Sequence, residues 1–215
     1  MNDGPRKILA PLISAVKEGK DALIEVANIT LGTATNSEVF SKVPVFSAIV
    51  GVVGFCDAVM SIKLRRNTAA FLEQTGKVAP EKLDQLYEKV MGDPRFTDEV
   101  PDTLIQLLID SYKPVKAEVV GRLFAALAEG KMEVEEFNDL VLIVIGASVP
   151  ALMALPAFFE WNKGLSYKNG PGAIETEPLL LSIGLASRFG TSFRIDAKGI
   201  LLYEAGFNGT VTDPR

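Results

Sequence analysis

The chain has 215 residues, a net charge of -5, 48% hydrophobic residues and 23% charged ones. That apolar content is enough for a core, so wholesale disorder is excluded and one domain with at most a small appendage is expected. Histidine is absent and Cys56 is the single cysteine. This excludes Ser-His-Asp and Cys-His catalysis, an internal disulfide and most zinc sites.

From the N-terminus, Ile8, Leu12, Val16, Leu23 and Val26 recur at helical spacing, and a polar stretch follows over 28–41. Residues 1–20 mix charges with short apolar groups, so no secretory leader is expected there. Residues 43–62, VPVFSAIVGVVGFCDAVMSI, carry one charge, Asp57. Twenty apolar residues are enough to cross a hydrocarbon core as a helix. Lys42 precedes the run, and Lys63, Arg65 and Arg66 form a basic flank that suits lipid headgroups. Ser47, Gly51, Gly54, Ala58 and Ser61 are spaced four, three, four and three apart. They form one helical stripe of small side chains that lets another backbone approach closely. Asp57 is either part of an ion path or a structural charge. Cys56, inside the apolar run, reads as a buried inert thiol.

Further on, Pro80 suits a first helical position, with Leu83, Leu86, Tyr87 and Val90 as the buried stripe. Leu104, Leu107, Leu108 and Tyr112 share one side of the next helix. Val115, Val119, Leu123 and Leu127 recur at i, i+4, and Gly130 stops that helix. Glu133, Glu135 and Glu136 sit where a helix dipole favours negative charge. A second uncharged run, LVLIVIGASVPALMALPAFF, covers 140–159. Pro150 and Pro156 interrupt it, and Ser148 is placed to cap a new helix near Val149. The run reads equally as one kinked span or as two shorter buried helices. In the tail, Ser192 to Ile195 alternates at strand period after a Gly190-Thr191 turn. Asp196 reads as an N-cap for 197–205, with Gly206 as the stop.

The fold expected is mostly α: a multi-helix bundle with two long apolar helical segments and a small C-terminal β hairpin near 188–195. The expected organisation is a helical domain over 1–160 with apolar segments 43–62 and 140–159. A linker over 161–178 and a small α/β element over 179–215 complete it.

Two stretches carry resemblances. Over 115–137, Lys116, Ala117, Glu118, Gly121, Arg122, Leu123, Phe124, Gly130, Lys131, Glu136 and Phe137 resemble a motif of uncharacterised small helical proteins of bacteria. That resemblance covers about 43–155, implies a bacterial source and a helical fold, and brings no activity with it. Over 180–206, Leu181, Gly184, Leu185, Ile195, Asp196 and Gly199 resemble the end of a winged-helix domain, where a helix end feeds a two-stranded wing and then a helix.

No phosphate loop, nucleophile elbow or dinucleotide fingerprint is present, so no enzymatic activity, cofactor or metal is expected. The acidic balance and the sparse Arg188, Arg194 and Lys198 disfavour nucleic acid as a partner. The reading favoured by two nearly uncharged runs is a membrane-associated helical homo-oligomer at the bacterial inner membrane, of pore-forming or defence type, with lipid as a partner. The alternative is a soluble cytoplasmic interaction or scaffold protein that buries both runs in its core or in a homo-oligomer interface.

Overall fold

The computed structural model describes residues 58–92, Leu104, Leu107, Leu108, Ser111, 113–170 and 174–213. The chain divides into two compact units, Met1–Val134 and Glu135–Arg215. The protein is mostly helical, with a small antiparallel sheet near the C-terminus.

The first unit holds helices α1 (Ala58–Thr75), α2 (Pro80–Gly92) and α3 (Pro114–Ala128), with a turn joining α1 to α2. Both prolines open their helices, where the missing N–H would be unbonded anyway. Gly130, at φ 75, lets the chain leave α3 in the left-handed region. Two hydrogen bonds close that end, Lys131 N to Ala126 O and Gly130 N to Leu127 O.

Helices α1 and α2 both pack on α3. Their shared core holds Phe71, Leu83, Val120, Leu123 and Phe124, all buried. The Phe71 and Phe124 rings meet at 5.6 Å and an interplanar angle of 59°, a tilted geometry that aromatic quadrupoles favour. Gly121 lets the two backbones touch: a Cβ there would stand 2.7 Å from Phe71 O. Beside it, Arg122 Nε donates to Gln74 Oε1 at 3.2 Å. Leu104, Leu107 and Leu108 are buried as their spacing predicts. The segment is tied to α1 by Asn67, whose amide donates to Leu108 O at 3.0 Å and Ser111 O at 2.8 Å.

In the second unit, the run over 140–159 becomes two helices, α4 (Val134–Gly146) and α5 (Val149–Trp161). They are bent by 116°. Ser148 caps α5 as expected, with extended backbone and Oγ accepting from Ala151 N at 3.2 Å. Pro156, expected to interrupt the run, instead sits inside α5 without ending it. Among the described residues no single helix is long and apolar enough to cross a membrane. In α5, Ala151, Leu152, Ala154, Leu155, Phe158 and Phe159 are buried.

Strand β1 (Tyr167–Lys168), helix α6 (Thr176–Ser182), β2 (Ala186–Phe189) and β3 (Ser192–Ile195) follow. The sheet order is β1-β3-β2, with Phe189 opposite Ser192 and Tyr167 opposite Arg194. The hairpin matches the sequence reading. The 161–178 stretch, read there as linker, instead supplies β1 and the start of α6. Helix α7 (Ala197–Leu201) then runs into a π-helical turn, Leu202–Gly206, where one continuous helix was expected. Asp196 stands at the N-cap without capping through its side chain; its carboxylate accepts from Ser187 Oγ at 2.8 Å.

Gly121→Ala is expected to destabilise the first unit by about 1–3 kcal/mol, because the new methyl group meets backbone that cannot swing aside. Denaturant unfolding measures this, with Ala125→Gly as a control for helix propensity at a half-buried site of the same helix.

Candidate functional site

The small-residue stripe and its acid fall mostly outside the described residues: Ser47, Gly51, Gly54 and Asp57 lie outside them, as do Cys56 and Tyr112. Ala58, Ser61, Lys63, Arg65 and Arg66 lie on α1, with Lys63 half-buried and Arg66 exposed. Glu135 and Glu136 occupy the first turn of α4. Glu133 precedes it and pairs with Lys89 at 2.6 Å. Among the described residues no group of three or more His, Cys, Asp or Glu is placed to hold a metal ion.

The second unit contains two constellations that the sequence reading did not single out. One is a buried charge. Glu177, on α6, is fully buried. Its Oε1 accepts from Lys168 Nζ of β1 at 2.8 Å, and its Oε2 faces the Arg188 guanidinium of β2 as an ion pair. Cross-strand register explains the convergence. Lys168 opposes Phe193, and Phe193 opposes Arg188, so the three side chains share the inner face of the sheet. The cations also rest on rings. Lys168 Nζ lies 5.9 Å from the Trp161 centroid and Arg188 Cζ lies 5.7 Å from that of Phe193, within reach of cation–π attraction.

The other is a groove of about 650 Å³, mostly open to solvent, between α5 and the C-terminal tail. Met153, Pro156 and Phe207 supply apolar lining, with Glu160 and Lys163 among the polar lining residues. Tyr203, from the π turn, stacks on Phe159 at 3.9 Å and 9°. Gly209 sits so close to that ring that a Cβ there would fall 2.3 Å from it. The α5 end is unusual. Lys163 is left-handed, φ 55, although Lys163 N bonds Glu160 O and Gly164 N bonds Phe159 O as in a glycine-ended helix. Left-handed backbone costs an L residue about 1–2 kcal/mol. Asn208, across the groove, is also left-handed at φ 55.

The tail is held down by a clasp. Thr212 N donates to Gly164 O at 2.9 Å and Thr212 Oγ1 to Lys163 O at 3.2 Å. Asp213 accepts from Ser166 N at 2.8 Å and from the Ser166 hydroxyl. Burial pushes the Asp213 carboxyl up. The Ser166 hydroxyl, the Ser166 and Asp213 backbone N–H groups and the Arg194 charge together outweigh it, holding the carboxyl below its usual value. On α3, burial lowers the Lys116 ammonium.

Comparison with family models, with curated proteins and with solved structures gives no match.

Two outcomes follow from these contacts. Replacing Lys168 and Arg188 together by Met strands a carboxylate with no route to water, and is expected to cost about 3–5 kcal/mol. Glu177→Gln costs less, because both cations keep partial contact with solvent; chemical denaturation of both variants gives the order. For the clasp, the folded carboxyl lies below the unfolded value. Its contribution is therefore complete above the ordinary pKa of 3.8 and is lost as pH falls through the lower folded value. Proteolysis of the tail by an acid-active protease should accelerate across that window, and Asp213→Asn should remove the step.

Proposed function

We propose that this chain is a non-catalytic helical interaction protein that associates with further copies of itself. The observation that carries this reading is the set of large apolar side chains left exposed on the second unit, although half of its uncharged run is buried. Phe189 is 91% exposed, Leu142 60% and Trp161 54%. Exposed apolar area costs about 25 cal/mol per Å² relative to burial, which favours covering these side chains. Strand β2 adds a docking edge. It lies at the outside of the sheet, contains no proline, and its one cation, Arg188, is neutralised by Glu177. Edges are ordinarily protected by such groups. Antiparallel pairing of β2 with β2 of a second copy would bring two Phe189 side chains onto the joint.

The winged-helix likeness of the tail is supported by the order of helix, two-stranded wing and short helix in α6, β2, β3 and α7. Only one short helix lies between β1 and the wing among the described residues. The sheet's exposed basic groups are few, which favours a protein-packing role over a reader of nucleic acid.

A second reading rests on the composition of residues 43–62, with the Asp57 charge and the Lys63, Arg65 and Arg66 flank. In it, the self-associating body is attached to a bilayer through that run, as a membrane-bound effector.

Sedimentation equilibrium in detergent-free buffer is expected to give a multiple of 23.2 kDa. Phe189→Ser combined with Leu142→Ser should shift the mass toward one chain. A single-chain mass for the unaltered protein at every concentration would contradict self-association. Recovery only in a carbonate-resistant membrane pellet would select the second reading.

A further inference from the structure

Among the described residues, two non-glycine residues are left-handed, Lys163 and Asn208, and both line the groove between α5 and the tail. The π-helical turn supplies a third lining residue, Tyr203. Unusual backbone of these kinds concentrates at ligand sites. Lys163 is the most telling. The two hydrogen bonds that end α5 would form equally well with glycine there. The turn therefore gains nothing from lysine, and what lysine adds at this position is a charged side chain on the groove.

The lining chemistry defines the ligand class. Met153, Pro156 and Phe207 offer an apolar bed. Glu160 and Lys163 add one charge of each sign, and among the described residues they form no ion pair with each other. Tyr203 is not available as a cation-binding face, since Phe159 covers one side of the ring and Gly209 crowds it. The volume of about 650 Å³ falls within the range of small-molecule sites, about 300–1,000 Å³. We propose that this groove binds a small apolar zwitterion, an apolar amino acid or a short apolar peptide. Its carboxylate meets Lys163, its ammonium meets Glu160, and its apolar body lies on Met153, Pro156 and Phe207. The site is complete within one chain, so it stands or falls independently of self-association.

The test uses the full ¹⁵N-labelled chain and follows the Gly164 and Gly209 amides during titration. The probes are leucine, trileucine and N-acetyl-trileucine amide, which lacks both terminal charges. Saturable shifts at both glycines are expected with a zwitterionic probe. Saturation by leucine identifies the free amino acid as the class, and saturation by trileucine alone identifies the peptide. The capped probe and the variants Lys163→Gln and Glu160→Gln should each weaken binding about tenfold, as loss of a charged hydrogen bond does. Lys163→Gly separates ligand binding from folding: it should raise Tm by relieving the strained turn while losing binding as the glutamine variant does. The proposal is overturned if neither leucine nor trileucine moves these amides at about 10 mM, the weak end of specific binding. It is equally overturned if the capped probe binds as well, or if Lys163→Gln leaves the affinity unchanged.

Discussion

Twenty consecutive residues without a charge carry more apolar surface than is favourably left in water, and the C-terminal unit buries half of them by turning the chain at Ser148. The turn has a local cause. Ser148 takes an extended backbone, its hydroxyl accepts the Ala151 N–H, and Pro150 in the first turn of α5 cannot extend α4. The result is a short helix, α5, buried along Ala151, Leu152, Ala154, Leu155, Phe158 and Phe159. The rest of the unit is assembled on it. Phe158 meets Phe193 of β3 at 5.2 Å, Phe159 stacks on Tyr203, and α6 packs along the helix. Without the break at Ser148 there would be no platform for the sheet and no α5 end to form the groove.

The buried Glu177 serves a different purpose. Desolvating a carboxylate and two cations uses much of the attraction they gain, so such clusters add little net stability. What they supply here is a requirement for register. Lys168 and Arg188 reach one carboxylate only if β1 and β2 both flank β3 in the observed alignment. A one-residue slip would turn both cations to the outer face and leave Glu177 alone in the core. With β1 only two residues long, hydrogen bonds alone would specify its position weakly.

What was legible in the sequence were the features set by short-range chemistry. Pro80 opens a helix, Gly130 ends one, Ser148 caps one, and the Gly190-Thr191 turn closes a hairpin. The apolar spacing of Leu83, Leu86, Leu104, Leu107 and Leu108 gave their burial. What escaped was set by tertiary contact. Strand β1 is too short to show alternation, and it exists because β3 pairs with it. Glu177 looked like one more acid in a polar stretch, since its partners lie nine residues before and eleven after it. Asp196 has the spacing of a cap, yet Ser187 across the hairpin claims its carboxylate. At the groove, Lys163 and Gly164 fall within the stretch read as a linker. The left-handed position falls on the lysine rather than on an adjacent glycine alone, a distinction that composition does not carry.

Amide hydrogen exchange on the full chain in detergent-free buffer tests most directly whether the uncharged run is a folded core. The account predicts that the amides of Leu152, Leu155, Phe158 and Phe159 exchange only through global unfolding, with the same opening free energy as Phe193 in β3. Rapid exchange of α5 in buffer, with protection gained only when lipid vesicles are added, would contradict it.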